Sequence, residues 1–394
     1  MKVLLVHNEY REPGGEDVVF RQEAELLSRF GHTVLVYRRG NSEIRVQSNL
    51  ERASLVKRLI WAEDSRKEIS AILRRERPAI VHVHNTFMQI SPCVFAASNE
   101  ADVPVVQTLH NFRLLCPAAT FFRQGHVCEE CAEHGLWRGV AHGCYHDSHA
   151  QTASVALMLT THRVLGTWED KIDRYIAPSE FTRWKFVEAS FPAEKISVKP
   201  NFVYPDPGPG ERSGDYALFV GRLSGEKGVA TLLRAWAQLG CTVPLVIAGD
   251  GPLRAEMEEE CERNGLGSVR FLGRVPRQTA LELVKGARFV IVPSQCYENF
   301  PMTIVESFAT GTPVICSQLG AMQTIVENRR TGLFFEPGNS DDLAQKVAWA
   351  WAHPGPMRVI GAEARREYEH RYTAEKNYEI LSDIYQRTIS ERLQ

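Results

Sequence analysis

Two basic residues follow a short apolar run in the second half of the chain, in a pattern that suits phosphate. The segment LFVGRLSGEKGVATLLRAW predicts a strand ending at Val220, a glycine-containing loop, and a helix beginning near Lys227. The first turn of a helix presents free N–H groups and a partial positive charge, which favour an anion. Arg222 and Lys227 add two full charges, so the segment predicts a phosphate site; the alternative is a surface loop with two solvated cations.

Two carboxylates eight residues apart occupy the segment PSQCYENFPMTIVESFATGTPVI. Glu298 is predicted in a loop after the strand Phe289–Val292, and Glu306 on an otherwise apolar face of a helix Pro301–Thr310. A carboxylate on such a face is unfavourable unless it is hydrogen-bonded. The adjacent hydroxyls of a ribose satisfy both oxygens, which favours a nucleotide ligand over the alternative, a buried pair with a neighbouring arginine.

The first half of the chain has its own candidates for ligand contact. Gly14 and Gly15 lie between an apolar run and a helical pattern, where glycine allows a ligand to approach the backbone closely; a plain tight turn is the alternative. His110 ends the apolar run Val105–Leu109. Most lone histidines are structural, but the end of a strand favours a role at a ligand site.

A cysteine-rich segment, residues 112–150, does not belong to a minimal α/β unit. FFRQGHVCEEC predicts a hairpin that turns at Gln124-Gly125 and leads into a C-x2-C motif. The segment predicts a structural zinc, with a histidine as a possible replacement for one cysteine, and the alternative is four reduced cysteines in a small loop core. The predicted ligands are Cys116, Cys128, Cys131 and Cys144.

Short apolar runs alternate with amphipathic segments along most of the chain, which is typical of doubly wound parallel sheets. The runs predicted as strands are Val3–Val6, Val34–Tyr37, Ile80–His84, Val105–Leu109, Tyr216–Val220, Leu245–Ala248, Val269–Leu272, Phe289–Val292 and Val314–Cys316. The proline- and glycine-rich stretch 201–215 predicts a linker between domains 1–200 and 216–372. Residues 373–394 predict a helix that packs back on the first domain. We expect two Rossmann-like α/β domains that face each other across a cleft, where ligands of such folds bind.

The composition excludes some classes of protein. The 394 residues carry a formal net charge of −2, which gives no electrostatic reason to expect nucleic acid as a partner. No apolar run approaches the length of a membrane span, so we expect a cytoplasmic protein with reduced cysteines. The charged segment 52–77 predicts solvated helices, with a membrane-surface patch as the alternative. No G-x-G-x-x-G follows the first strand of either domain, which argues against an NAD-dependent enzyme.

Taken together, the E-x7-E spacing of Glu298 and Glu306 and the segments GRLSGEKG, LVIAGDGPL and VRFLGRV resemble glycosyltransferase family 4. These are retaining enzymes of the glycosyltransferase-B fold, and the resemblance covers essentially the whole chain. It implies transfer of a sugar from a nucleotide-diphosphate donor to an acceptor hydroxyl. The leaving phosphate is expected to take the acceptor proton, so that no metal is required for transfer.

The resemblance also implies roles for individual residues. Arg222 and Lys227 would bind the donor diphosphate, Glu306 the ribose hydroxyls, and Glu298 hydroxyls of the transferred sugar. The far side of that sugar would be held by the backbone of Asn299, Phe300, Pro301 and Met302. Asn299 stands where the family usually has glycine, so the resemblance does not assign the donor sugar.

In the first domain, the resemblance places the loop of Gly14 and Gly15 near the donor phosphate and the acceptor, and His110 against the transferred sugar. The expected acceptor is a glycan or a lipid-linked glycan in polysaccharide or glycoconjugate synthesis. A lipid-linked acceptor would bring peripheral membrane contact through Trp61, Arg183, Trp184 and Lys185. The rival functions are a nucleotide-sugar epimerase or a phosphorylase on the same fold, and an inactive zinc-knuckle binding protein.

Overall fold

The computed structural model describes residues 1–11, 14–44, 48–211 and 214–393. Residues 212 and 213 of the predicted linker, and Gln394 at the end of the predicted C-terminal helix, lie outside the described residues. The chain divides into two compact units. The first comprises Met1–Thr120, Glu129–Pro200 and the residues from Asn377 onward, and the second comprises Phe121–Cys128 and Asn201–Lys376.

The strands of the described residues fall into two parallel sheets and one hairpin. In chain order they are β1 (Lys2–Glu9), β2 (Thr33–Gly40), β3 (Ile80–Asn85), β4 (Val105–Thr108), β5 (Phe122–Arg123), β6 (His126–Val127), β7 (Arg174–Ala177), β8 (Ile196–Val198), β9 (Ala217–Val220), β10 (Leu245–Ala248), β11 (Val269–Gly273), β12 (Phe289–Val292), β13 (Val314–Ser317) and β14 (Gly332–Phe335).

Most helices lie between successive strands, because parallel strands need a crossover connection, and the last three helices follow the last strand. In chain order the helices are α1 (Gly15–Arg29), α2 (Asn49–Ile60), α3 (Glu63–Glu76), α4 (Cys93–Glu100), α5 (Glu130–His134), α6 (Trp137–His142), α7 (His149–Val164), α8 (Thr167–Asp170), α9 (Glu180–Glu188), α10 (Val229–Leu239), α11 (Arg254–Arg263), α12 (Arg277–Gly286), α13 (Met302–Ala309), α14 (Met322–Ile325), α15 (Ser340–Ala352), α16 (Pro354–Arg371) and α17 (Ala374–Arg392).

Each unit contains one doubly wound parallel sheet, which confirms the predicted fold class. The first sheet has the order β2-β1-β3-β4-β7-β8, and the second has the order β11-β10-β9-β12-β13-β14. In each sheet the order reverses beside the first strand, between β1 and β3 and between β9 and β12. Ligands of such folds bind at this switch point, beyond the carboxyl ends of the strands.

The first unit has a core to which both ends of the chain contribute. Val3 and Phe20 lie in one apolar cluster with Leu381, Ile384 and Tyr385 of α17. All of these side chains are at most 3% exposed. The C-terminal helix is therefore an integral part of the first unit's core.

The second unit is built around α10, whose apolar face covers its sheet. Trp236 is fully buried there, and its indole N–H donates to the Val243 carbonyl at 2.8 Å. The predicted linker enters this unit early, because Phe202 and Val203 are buried and the Tyr368 hydroxyl donates to the Val203 carbonyl at 3.1 Å.

Three strands were not among those predicted: β7, β8 and β14. In each of them at most three apolar residues stand in a row, and Arg174 opens β7 with a polar side chain, so none shows an apolar run of four or more residues. In the described part of the chain no helix combines the length and the hydropathy needed to span a bilayer.

Candidate active site

The loop after β9 is held against the loop after β12 by a glycine. Gly225–Lys227 form a 3-10 turn, and α10 begins at Val229. Gly228 has a φ of +70°, and a Cβ there would lie well inside van der Waals contact of the Pro293 carbonyl oxygen. Only glycine fits this conformation and this gap. The two loops of the switch point are thereby brought into backbone contact.

Close backbone contacts also explain the two glycines in the segment LVIAGDGPL, which forms β10 and the loop after it. A Cβ on Gly249, whose φ is +156°, would overlap the carbonyl oxygen of Gly221. A Cβ on Gly251 would crowd the backbone of Leu223 in the same loop. The glycines therefore let the loops after β9 and β10 pack backbone against backbone at the carboxyl edge of the sheet.

Lys227 and Glu298, predicted to bind different parts of one ligand, form a direct ion pair. The Lys227 Nζ donates to Glu298 Oε1 at 2.6 Å, and the Ser294 hydroxyl donates to the same oxygen at 2.6 Å. The side chains are 31% and 13% exposed, respectively. The pair is thus partly shielded from water, but the ammonium remains accessible to a ligand.

The pair keeps both groups charged. Burial opposes the charge of Glu298, but the Lys227 ammonium and the hydrogen bond from Ser294 hold the pKa of the carboxyl below its ordinary value. Burial likewise opposes the charge of Lys227, but Glu298 raises the pKa of the amine above its ordinary value. A carboxylate and an ammonium 2.6 Å apart are available together at neutral pH.

Glu306 is paired with an arginine that the sequence did not single out. Arg277, the first residue of α12, lies 3.4 Å from Glu306 Oε1 through its Nε. Burial raises the pKa of Glu306 above its ordinary value, although Arg277 opposes the shift. The alternative left open by the sequence, a pair with an arginine, is therefore present in the structure. Arg277 follows Pro276, the residue directly after the VRFLGRV segment, and that position was the available signal.

The other residues predicted to contact the donor lie close in sequence to Lys227 and Glu298. Arg222 is exposed on the loop after β9. Asn299 and Phe300 precede α13, which begins at Met302 with Pro301 as its N-cap residue. The first turn of α13 leaves backbone N–H groups without helical partners, as at every helix start.

In the first unit, Gly14 and Gly15 begin α1. Gly14 is the N-cap residue, and its N–H donates to Asp17 Oδ2 at 2.6 Å. Asp17 Oδ1 accepts from His7 Nε2 at 2.9 Å. A Cβ on Gly15 would meet nothing within 4 Å, so this glycine leaves space beside the helix start.

His110 follows β4 and is joined to a second histidine that the sequence reasoning missed. His110 Nε2 lies 2.9 Å from Nδ1 of His84, and the two rings stack at 5.1 Å. His82 and His84 alternate along β3 in the segment IVHVHN, and both are buried. Such alternation inside an apolar strand was the signal for a buried histidine cluster at this edge of the sheet.

Glu16 is a further polar group at the switch point of the first sheet. Asn85 Nδ2 donates to its Oε1 at 3.0 Å, and Asn111 Nδ2 donates to its Oε2 at 3.3 Å. Burial raises the pKa of Glu16 to about 7, although a hydrogen bond from Tyr10 lowers it. This carboxylate directly follows the two glycines and was not among the residues predicted from the sequence.

Two family descriptions match the chain and together cover most of it. "Glycosyltransferase Family 4" matches residues 13–206, and "Glycosyl transferases group 1" matches residues 210–367. The chain belongs to the group 1 glycosyltransferases. This confirms the resemblance drawn from the motifs.

Individual proteins agree with this assignment. An uncharacterized glycosyltransferase of Methanocaldococcus jannaschii is 26% identical over 408 residues, covering 98% of each chain. Alpha-D-kanosaminyltransferase of Streptomyces kanamyceticus is 24% identical over 338 residues, covering 83% of this chain and 81% of its own. The crystal structure of Anabaena HepE in complex with UDP has a TM-score of 0.71 at 19% identity, covering 98% of this chain and 100% of that one. That likeness shows the glycosyltransferase-B fold.

The cysteine-rich segment of this glycosyltransferase contains the predicted hairpin. β5 and β6 pair antiparallel with Phe122 opposite Val127, and the turn residues Gln124 and Gly125 have φ values of 51° and 85°. Two positive φ values are those of a type I′ turn, which confirms the hairpin predicted from Gln124-Gly125.

We predict that Gly228→Ala destabilises the protein, because an alanine Cβ would collide with the Pro293 carbonyl and because the φ of +70° is strained for alanine. Such strain costs about 1–3 kcal/mol. Urea unfolding measures the loss. Gly225→Ala in the same loop is the control, since its Cβ would meet nothing within 4 Å. Equal stability of the two variants would contradict the close approach.

Proposed function

We propose that this glycosyltransferase transfers a sugar from a nucleotide-diphosphate sugar to an acceptor hydroxyl, with retention of configuration at the anomeric carbon. The observation that carries the proposal is the Lys227–Glu298 ion pair between the loops after β9 and β12. It places a cation for phosphate beside a carboxylate for sugar hydroxyls, at the switch point of the sheet where ligands of such folds bind.

Lys227 is the group that meets the departing nucleotide. An ammonium has three N–H donors, and the bond to Glu298 uses one of them. The others are proposed to bind oxygens of the diphosphate, with exposed Arg222 as a second cation. A diphosphate gains negative charge as the glycosidic bond breaks, so fixed cations stabilise the transition state more than the bound substrate.

Glu298 has a double role in this proposal. Its Oε1 accepts from both Lys227 and Ser294, which fixes the carboxylate in place. Its Oε2 is then proposed to accept from hydroxyls of the transferred sugar. The backbone from Asn299 to Met302 binds the far side of that sugar through the N–H groups at the start of α13.

Glu306 is proposed to bind the two hydroxyls of the donor ribose. Its neighbour Arg277, 36% exposed, opposes the effect of burial and favours the ionised carboxylate that accepts such hydrogen bonds. Because both glutamates are committed to the donor, neither is assigned as a general base. The leaving phosphate takes the proton of the acceptor hydroxyl, and the cations supply the charge stabilisation that a metal ion provides in other transferases.

The donor class has support from a structural neighbour, since HepE is described in complex with UDP. The acceptor is proposed to be a glycan or lipid-linked glycan in polysaccharide or glycoconjugate synthesis. Of the residues suggested for membrane contact, Trp184 is 56% exposed. Lys185 is 6% exposed and donates to Glu129 and Glu188, so we no longer propose that it contacts a membrane.

We also propose a structural zinc in the cysteine-rich segment, with Cys116, Cys128, Cys131 and Cys144 as ligands. In the first unit, a Cβ on Gly139 would lie 3.0 Å from the Cys131 sulfur and 3.3 Å from Cγ of Pro117, the residue after Cys116. The N–H of Cys144 donates to the Gly139 carbonyl at 3.1 Å. Cys131 and Cys144 thus both lie beside Gly139, and this proximity, together with the C-x2-C spacing, is the support for a shared ion.

We predict that Lys227→Ala lowers the transfer rate about ten- to a hundredfold, the scale of one charge-assisted hydrogen bond in the transition state. A screen of nucleotide sugars by thermal shift first identifies the donor, because a ligand that binds only the folded state stabilises it. Lys346→Ala, a partly exposed lysine of α15, is the control. Full activity of Lys227→Ala, or the absence of any stabilising nucleotide sugar, would refute the proposal.

We predict that EDTA leaves initial turnover unchanged, since Arg222, Lys227 and the start of α10 perform the electrostatic role of a metal ion. Rates are measured directly after mixing with the chelator and again after adding magnesium. Immediate loss of activity that magnesium restores would contradict the metal-independent mechanism.

We predict about one zinc per chain in protein purified without added metal, measured by plasma mass spectrometry. Cys131→Ser removes a proposed ligand and lowers the zinc content, whereas the exposed Cys241 serves as control through Cys241→Ser. Protein that is folded and active but free of zinc would remove the proposal and leave the transfer mechanism untouched.

A further inference from the structure

A fully buried ion pair lies beneath the histidines of the first unit. The Lys199 Nζ donates to Glu23 Oε1, and the two side chains are 1% and 0% exposed. The ammonium also donates to Oδ1 of Asn377 in α17 at 3.3 Å. Because an uncompensated buried charge is strongly destabilising, the two groups depend on each other, and the contact with Lys199 fixes the direction of the first oxygen of Glu23.

The second oxygen of Glu23 faces the histidines. Oε2 lies 3.4 Å from Nε2 of His84 and 3.6 Å from Nδ1 of His82. Both nitrogens of His82 have closer partners, the hydroxyls of Tyr385 and Thr108, each at 2.7 Å. Within the described residues, Glu23 Oε2 and His84 Nε2 have no hydrogen-bond partner, so their 3.4 Å approach is an electrostatic contact without the geometry of a hydrogen bond.

The direction of this contact follows from the chemistry of the groups. A carboxylate oxygen attracts an N–H group and repels a nitrogen lone pair, so the favourable state of His84 carries its proton on Nε2. A neutral imidazole with that proton has a bare Nδ1. His110 Nε2 lies 2.9 Å from this atom and must donate to it. His110 therefore carries its own proton on Nε2 and is left with a bare Nδ1.

The neutral state of both rings is consistent with their surroundings. Burial lowers the pKa of His84 and of His110 well below the ordinary histidine value, and the neighbouring histidines and Lys199 act in the same direction. His84 is 3% exposed, whereas His110 is partly exposed at the end of β4. The chain of contacts thus runs from the buried ion pair to a ring that a ligand can reach.

A metal ion does not fit this cluster, although single ligand atoms of Glu23, His82 and His84 lie within 4.8 Å of one another. The Lys199 ammonium already neutralises Glu23 and would repel a second cation. Both His82 nitrogens are engaged by hydroxyl groups. The three side chains are therefore suited to polar contacts within the protein and not to binding a metal ion.

We propose that Glu23 and His84 are positioning residues that fix the tautomer of His110, so that its Nδ1 accepts a hydrogen bond from a hydroxyl of the sugar ligand. The identity of that ligand rests on the proposed function, whereas the tautomer does not. Lys199 and α17 support the network through Glu23, Asn377 and Tyr385.

The tautomer is measured by long-range ¹H–¹⁵N NMR on ligand-free protein labelled at histidine, with His110 assigned by comparison with His110→Gln. We expect a protonated Nε2 and a bare Nδ1 on His110 at neutral pH. A proton on Nδ1, or a doubly protonated ring, would overturn the proposal. This measurement requires no activity, so its outcome is independent of the proposed function.

Glu23→Gln tests the direction of the network. With Lys199 intact, the glutamine oxygen faces the ammonium and its NH2 group faces His84, which reverses both histidine tautomers and places the His110 proton on Nδ1. We expect transfer to fall about tenfold, the scale of one lost hydrogen bond. Glu25→Gln, exposed on the same helix, is the matched control and leaves both readouts unchanged.

A second variant keeps the test decisive if Glu23→Gln does not fold. His84→Phe retains a ring of similar shape but removes the link, so His110 should populate both tautomers. An unchanged Nε2–H tautomer in either folded variant would overturn the positioning role. A changed tautomer with full transfer activity would overturn the role of Nδ1 in ligand binding.

Discussion

The geometry of the second unit's site depends on the backbone of Gly228 passing closer to the Pro293 carbonyl than any side chain allows. That contact brings the loops after β9 and β12 together, so that Lys227 reaches Glu298 at 2.6 Å. The glycines after β10 extend the same principle to a third loop. Backbone packing without side chains is what gathers charged groups from separate strands into one site.

The first unit gathers its polar groups by a different constraint. Lys199 and Glu23 are buried as an ion pair, and a buried pair is stable only when its remaining hydrogen-bonding groups find partners. Lys199 also donates to Asn377 of α17, the last helix of the chain, and the second oxygen of Glu23 approaches the histidines of β3. A polar network beneath the surface thereby controls the state of a histidine near it, while the C-terminal helix serves the N-terminal sheet.

Lys227 and Glu298 also show how one contact serves both electrostatics and recognition. The pair keeps an ammonium charged in a partly shielded site, where interactions between charges are stronger than in bulk water. Arg277 acts similarly on Glu306, whose pKa burial alone would raise further. Partnered charges of this kind are ready for a ligand without a large change in protonation.

The sequence by itself determined the fold class, most strands, and the family. Apolar runs of four to six residues alternating with amphipathic helices predict parallel sheets, and glycines mark the loops where ligands approach. It also singled out Lys227, Glu298, Glu306 and His110, because residue type and position after a strand are local properties. Strands β7, β8 and β14 were not predicted, because each contains fewer than four consecutive apolar residues.

Only the tertiary structure decided which of these residues touch. Lys227 pairs with Glu298 across 71 positions, and Glu306 with Arg277 across 29, distances in sequence that no local pattern spans. Lys199, Glu23 and His84 come from a loop, a helix and a strand, and their partnership arises because burial forces each charged or polar group to find a counterpart. Neighbouring residues determine the local structure and the type of chemical group at each position. The pairing of buried charges depends instead on which surfaces the fold brings together.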